Sequence, residues 1–427
     1  MVTIDSIYTH FLQNRLVSTD SRKIVAKSIF FALKGENFNG NLYAKSALDK
    51  GATFAVVDET VDIDDSKIFL VDDVLKCLQN FAHRYRQEFD IPVIAITGSN
   101  GKTTTKELLA SVLGTTYKTL FTEGNLNNHI GVPLTLLQLK KEHQIAIVEM
   151  GANHIGEIET LCKIANPSHG VITNIGKAHL EGFGGLEGVK KAKGELYDYL
   201  STKNGVVFIN RSESSLLELL KLRKLKAINF SDQSKKDGFV DIGIKPGGDY
   251  ISVQLNYFDD ESQIIQTQLQ GDYNMHNLIN SICIGIYFRV PKRSIKASLE
   301  AYRPQNNRSQ VVIRGTNKFF LDAYNANPTS MHVSIANFRN VKHPNKIAIL
   351  GDMYELGDYS EQEHKNVADL ALSSGFNKVI FVGENFPQNN FKNVIELKEW
   401  FSTQMYENTY FLIKGSRGVQ LEHLLQD

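Results

Sequence analysis

Thr97-Gly98-Ser99-Asn100-Gly101-Lys102-Thr103-Thr104-Thr105 brings glycines, an amide, an ammonium and a run of hydroxyls into one short stretch. That set suits a phosphate. Glycine lets backbone N–H groups approach an anion at a helix N-terminus, Lys102 adds charge, and the Thr103 hydroxyl is of the kind that holds Mg²⁺. Gly98, Ser99, Asn100, Gly101, Lys102, Thr103 and Thr104 are therefore candidate nucleotide-binding residues. The common spacing G-x-x-x-x-G-K-[ST] would need glycine at Ile96, so the loop fits the general rule only loosely. A tight strand-to-helix turn is the plain alternative.

Other polar groups follow apolar runs, where open α/β sheets place their ligands. Glu149 comes after Ile145 to Val148 and opens Glu149-Met150-Gly151-Ala152-Asn153-His154; its carboxylate suits Mg²⁺ or the cap of a following helix. His179 comes after Val171 to Ile175, and a lone histidine in such a place is more often a structural hydrogen-bonder than a ligand. Asn125, Asn127 and Asn128, in Gly124-Asn125-Leu126-Asn127-Asn128-His129, offer uncharged donors suited to phosphoryl or carboxylate oxygens, and equally to a turn. Lys414 and Arg417, after Tyr410 to Ile413, could neutralise a carboxylate or phosphate or be ordinary surface bases.

The elements that must position these groups are legible as buried-strand runs. Val93 to Ile96 is continuous and mostly β-branched, and Leu108, Leu109, Val112 and Leu113 then recur at helical spacing until Gly114. Runs at Ile145 to Val148, Val171 to Ile175 and Val206 to Ile209 alternate with helical stretches, the pattern of a largely parallel sheet. Before them lies a small α/β unit: a helix from Ile4 to Leu12, strands at Ser28 to Leu33 and Thr53 to Val57, and a helix from Tyr43 to Lys50. A helix through Val74, Leu78, Phe81 and Tyr85 leads to Pro92, where the first boundary falls. Alternation from Phe239 to Leu269 predicts antiparallel strands, and Asn274 to Phe288 predicts a helix. Polar Pro304 to Arg308 reads as a linker. Strands near Lys318 to Leu321, Lys346 to Leu350, Lys378 to Val382 and Tyr410 to Ile413 form a second open sheet, with Ser360-Glu361-Gln362-Glu363 as a capping box. The expected domains are 1–89, 90–304 and 305–427.

Composition excludes several classes. With 47 basic and 47 acidic residues the formal charge is zero, so no global field favours nucleic acid or an anionic membrane. Cys77, Cys162 and Cys283 are too scattered for a metal or disulfide framework, and no apolar run reaches membrane-spanning length. The expectation is an unexported cytoplasmic protein without membrane insertion, and a monomer.

The motifs together resemble the Mur ligase family of peptidoglycan synthesis. The resemblance rests on Thr97 to Thr103, Glu123-Gly124-Asn125-Leu126-Asn127-Asn128, Glu149 to His154, Ala192-Lys193-Gly194-Glu195 and Tyr324-Asn325-Ala326-Asn327-Pro328, and runs nearly end to end. It implies three α/β domains: a small UDP-binding domain, a central P-loop domain with a mostly parallel sheet, and a C-terminal Rossmann-like open sheet. The implied activity is an ATP-dependent amide ligase joining D-alanyl-D-alanine to a UDP-N-acetylmuramoyl-tripeptide. Other family members and folylpolyglutamate synthases share this plan, and a non-catalytic ATP-binding module is the reading from a different class.

On matching positions the resemblance implies that Lys102 contacts ATP, that Thr103 and Glu149 hold one Mg²⁺, and that His179 and Lys193 serve a second. Lys193 would act as a carbamate formed with CO₂. Lys102, Glu149, His179 and Lys193 would then be the catalytic set. Asn274 and Asn277 match the adenine-side motif, with Tyr273 where many relatives carry histidine; Arg308 and Asp322 match hinge residues that reach the nucleotide, with Leu321 in place of a paired aspartate. Ser18, Asp20, Ser21, Arg22 and Lys34 match the uridine side, where Asn39-Gly40-Asn41 departs from the usual Asp-Gly-His. Asn125, Asn127, Asn128, Tyr324, Asn325, Asn327, Asp352, Glu355, Lys414, Ser416 and Arg417 are implied to meet the peptide and amino substrates.

Overall fold

The computed structural model describes residues 3–62, 66–210, 213–230, 241–245, 250–256 and 262–426. Two compact units are distinguished, one of Met1–Ala95, Lys118–Gly151 and Glu159–Ser168, the other of Ile96–Tyr117, Ala152–Ile158 and His169–Asp427.

In the first unit a four-stranded parallel sheet runs in the order Val17–Ser18, Ile29–Phe31, Phe54–Val57, Ile68–Leu70. Helix Ile4–Asn14 opens with a Thr3/Ser6 capping box and buries Ile7 and Phe11, which recur at helical spacing. Helix Val74–Arg86 answers with Leu78, Phe81 and Tyr85. Phe11 meets Phe81 and Tyr85 edge-on, at centroid distances of 5.3 and 4.9 Å. Removing such a buried ring costs about 3–5 kcal/mol. Arg86, which no sequence motif marks, donates to the carbonyls of Phe89 and Ile91 and so fixes the chain just before the strand Val93–Thr97.

That strand lies third from one end of a six-stranded sheet of order Thr119–Phe121, Ile145–Glu149, Val93–Thr97, His169–Ile172, Val206–Asn210, Lys226–Phe230. Val93–Thr97, Ile145–Glu149 and Val206–Asn210 are buried at every residue, as expected for strands covered on both faces. In the second unit, Asp241–Lys245, Ser252–Asn256 and Gln263–Gln266 pair antiparallel, and Val253, Leu255 and Ile265 are buried. The expected alternation holds there, while Phe239 and Val240 lie outside the described residues. The last sheet has the order Gln310–Arg314, Asn317–Leu321, Tyr410–Lys414, Lys346–Gly351, Lys378–Val382, parallel except for its first hairpin.

Two local expectations are corrected. The strand expected at Val171 to Ile175 runs His169–Ile172: Thr173 N–H still donates to Thr97 O and Asn174 O accepts from Ser99 N–H, but the Thr173 and Asn174 side chains turn to Asn100 and the regular strand ends. Ser360 does not cap its helix: the 3₁₀ turn Gly357–Tyr359 continues directly into Ser360–Leu372 with Tyr359 at the N-cap. The Ser360 carbonyl faces the His364 ring at 2.8 Å, and Glu363 pairs with Lys177.

Candidate functional site

The turn between Val93–Thr97 and helix Lys102–Leu113 depends on its glycines. Gly98 and Gly101 have φ of 140° and 79°. A Cβ on Gly98 would lie 2.0 Å from Thr173 Oγ1, and one on Gly101 would lie 2.4 Å from Asn277 Oδ1. No side chain caps the helix at Gly101, the condition under which its N-terminus can receive an anion. Thr173 and Asn174, absent from the sequence candidates, clamp the loop: Ser99 N–H donates to Asn174 O at 3.0 Å, Asn100 N–H to Asn174 Oδ1 at 3.0 Å, and Thr173 Oγ1 to Asn100 O at 2.6 Å. Ser99 Oγ is taken by both backbone groups of Gly176. Lys102 Nζ folds over the loop and donates to Gly98 O at 2.7 Å. Asn100 Nδ2 is buried with no acceptor, which fits an oxygen anion.

Lys193 lies on helix Leu186–Thr202, where Val189, Lys193, Leu196, Tyr197 and Leu200 share the buried stripe. It is 1% exposed, Nζ donates to Ala152 O at 3.2 Å, and the Phe183 ring centroid is 5.0 Å away. Burial first, then the charge of Lys102, holds its pKa well below the ordinary lysine value. The stripe is a sequence signal, since a lysine four residues after Val189 and four before Tyr197 must face the core. His179, at φ 51°, faces the Glu355 carboxylate, and the ring holds that carboxyl below the usual range. Among the described residues no group of three or more His, Cys, Asp or Glu side chains could hold a metal.

Arg308 stacks on the Tyr324 ring at 3.6 Å, and Arg417 Nη1 reaches Tyr324 Oη at 3.3 Å. Lys414 is 2% exposed and pairs with Asp322 at 2.6 Å. Several other candidates are occupied by the fold. Asn327 is the N-cap of helix Pro328–Asn340, in a capping box with Ser330, and its Nδ2 donates to Asn100 Oδ1 at 2.8 Å. Asn325 Oδ1 accepts from Ala326 N–H, and Ser416 Oγ from Tyr354 N–H. Thr104 lies in the first turn of its helix.

In the first unit Arg22 grips Asp20 with Nε and Nη2 at 2.9 and 3.0 Å and holds its carboxyl down at about 2. Ser18 Oγ accepts from Asp20 N–H, Ser21 O accepts from Lys50, and Lys34 pairs with Asp58 and Glu59. Asn39 and Asn41 bond to Glu59 and Asp58. Glu149, 1% exposed, accepts from Asn127 Nδ2 at 2.8 Å, while its N–H donates to Thr122 Oγ1. Asn128 Oδ1 accepts from the N–H groups of Ile130 and Gly131, and Asn125 O from Asn127 N–H.

Family models match three successive segments of the chain. Residues 14–95 match the catalytic domain of the Mur ligase family, residues 96–285 the Mur ligase middle domain, and residues 307–410 the Mur ligase glutamate ligase domain. The UDP-N-acetylmuramoyl-tripeptide–D-alanyl-D-alanine ligase of Escherichia coli K12 is 34% identical over 96% of this chain and 92% of its own length. The chain belongs to the Mur ligase family.

A crystal structure of MurF from Acinetobacter baumannii superposes with a TM-score of 0.86 at 32% identity, covering 96% of this chain and 92% of that one. The fold also matches that of MurF from Thermotoga maritima in complex with ADP, with a TM-score of 0.85 at 24% identity and 97% of each chain covered. The fold is thus the three-domain Mur ligase fold.

Within this Mur ligase, Asp352 has a role that spacing did not disclose. It is 3% exposed, and its carboxylate accepts from the N–H groups of Glu384 and Asn385 and from Asn385 Nδ2, the last at 2.7 Å. His364, fully buried, accepts from Met353 N–H at 2.9 Å. Together they shape the loop that carries Glu355. Asp352→Ala is expected to lower unfolding free energy by about 3 kcal/mol, because it strands buried donors. Chemical denaturation checks this, with Asp352→Asn losing less.

Proposed function

We propose that this Mur ligase joins D-alanyl-D-alanine to UDP-N-acetylmuramoyl-tripeptide, consuming ATP to ADP and phosphate, as a cytoplasmic monomer with domains at 1–89, 90–304 and 305–427. The observation that carries the reading is the near end-to-end likeness to a ligase of that specificity, 34% identical over 96% of this chain.

In the first step an oxygen of the tripeptide's terminal carboxylate bonds to the γ-phosphorus of ATP and ADP leaves, giving an acyl phosphate. The dipeptide amine then bonds to the acyl carbon, phosphate leaves, and the amine loses its proton. Bound Mg²⁺ would supply charge neutralisation on the phosphates. Thr103, Glu149, His179 and a carbamate on Lys193 would hold it, the hydroxyl, carboxylate and carbamate oxygens being the hard donors that suit this ion. The chain's own part is positioning: the Thr173–Asn174 clamp holds the loop, Asn100 offers an unspent donor, and Lys102 supplies fixed positive charge. Tyr324, braced by Arg308 and Arg417, and buried Lys414 are the proposed amino-substrate side.

The test is product analysis. ADP should form only with both the UDP-sugar tripeptide and D-alanyl-D-alanine present, and mass spectrometry should show the amide-linked pentapeptide product. Robust turnover with glutamate, L-alanine or diaminopimelate as the amine would assign another branch or a folylpolyglutamate synthase. Tight ATP binding with no substrate-stimulated phosphate release would leave only a binding module. Light scattering at micromolar protein should return the mass of one chain.

A further inference from the structure

A continuous polar chain runs through the second unit, from the phosphate-loop helix to the C-terminal sheet. Thr105 Oγ1 donates to Asn277 Oδ1 at 3.1 Å, Asn277 Nδ2 to Asn274 Oδ1 at 2.9 Å, and Asn274 Nδ2 to Ser309 Oγ at 3.0 Å. Tyr273 Oη pairs with the same Ser309 Oγ at 2.8 Å. Ser309 N–H then donates to Asp322 Oδ1 at 3.2 Å, and Asp322 Oδ2 accepts from Lys414 at 2.6 Å. Thr105, Asn274, Asn277, Ser309 and Lys414 are all buried, so each bond acts at low dielectric and is costly to leave unmade.

Ser309 is the link between the two ends. It stands directly after the linker, in a stretch where Asn306, Asn307 and Ser309 have φ of 60°, 57° and 48°. None is glycine. Asparagine tolerates the left-handed region, but serine there carries strain of about 1 kcal/mol or more, kept only where its surroundings over-determine it. Here they do: the hydroxyl is held by Tyr273 and Asn274 on one side and the N–H by Asp322 on the other.

We propose that Ser309 and Tyr273 are positioning residues, which set the path of the linker so that the Asp322–Lys414 pair is held in register with the phosphate-loop helix. Neither touches the reacting atoms. The inference rests on the ligase reading for its kinetic consequence and on the hydrogen-bonded chain alone for its structural one.

Two readouts separate these. In steady-state assays Ser309→Ala and Tyr273→Phe should each lower kcat about tenfold, with the KM for ATP changed less than about threefold, because the phosphate loop keeps its own bonds while the second substrate's side is misplaced. The double variant should be no worse than Ser309→Ala, since both remove the same contact. Ser309→Gly removes the hydroxyl while relieving the left-handed strain, so it should fall like Ser309→Ala. Wild-type kcat in Ser309→Gly, or additive losses in the double variant, would overturn the proposal.

The second readout needs no turnover. Dyes at Leu222→Cys and Met405→Cys, 80% and 100% exposed, should report a change in energy transfer when a non-hydrolysable ATP analogue and Mg²⁺ are added. That change should shrink in Ser309→Ala and in Tyr273→Phe while analogue affinity stays within about threefold of wild type. An undiminished change in both variants would also overturn the proposal. Should the amine prove to be something other than D-alanyl-D-alanine, the transfer result stands unaffected and only the ligase reading fails.

Discussion

Lys102→Ala is expected to lower kcat/KM for ATP about 10³-fold, a loss of about 4 kcal/mol in transition-state stabilisation. Lys102 Nζ donates to Gly98 O and lies against Ser99 O within the loop, so its charge is fixed where the phosphates are proposed to sit. A preorganised cation of this kind acts on charge that develops during transfer and needs no reorganisation at that moment. The loop itself should survive the change. Its shape is held by Thr173, Asn174 and Gly176 through bonds to Ser99 and Asn100 that do not involve the lysine. Circular dichroism and the unfolding midpoint should therefore stay close to wild type while turnover is lost. Coupled ADP release within tenfold of wild type would remove Lys102 from the mechanism. Lys102→Arg keeps the charge but changes its shape from a compact ammonium to a planar fork, and should recover only part of the loss.

How much of this was legible in the sequence depended on where a residue's partners lie along the chain. Val93–Thr97, Ile145–Glu149 and Tyr410–Lys414 could be read directly, because burial on both faces imposes a continuous apolar run. The phosphate loop could be read from residue types and the family resemblance, although its glycine spacing is unusual. The residues that clamp it could not: Thr173 and Asn174 are more than seventy positions downstream of the loop and were read as strand. The same holds for Asp352, whose partners at Glu384 and Asn385 belong to another turn. Ser360 shows the converse error, a correct capping-box spacing defeated by a preceding 3₁₀ turn that had no sequence signal of its own. Linker residues 304–308 were read as a polar spacer. The left-handed Ser309 that follows them is held by side chains from Tyr273, Asn274 and Asp322, and linker composition alone does not reveal it.

Lys193 is expected to be the most sensitive position after Lys102, and the two are physically coupled. A protonated ammonium on the apolar stripe of helix Leu186–Thr202, beside the Phe183 ring, carries a desolvation cost of several kcal/mol. Burial and the nearby Lys102 charge accordingly hold its pKa well below the ordinary lysine value. Lowering the pKa favours the neutral amine over the ammonium. Its nitrogen can then bond to the carbon of CO₂ and lose a proton to solvent, which turns a cation into an anion with two hard oxygen donors. The same Lys102 charge that disfavours the ammonium favours the carbamate. Protein equilibrated with ¹³C-bicarbonate should show a carbamate carbonyl resonance that is missing in Lys193→Met and weakened in Lys102→Ala. Ligase activity should fall about 10³-fold in Lys193→Met, and in the wild type it should decline in CO₂-depleted buffer and return when bicarbonate is added. Full activity of Lys193→Met would end the role of this residue. Undiminished wild-type activity after thorough CO₂ removal, with no labelled resonance, would leave Lys193 acting as a plain buried amine.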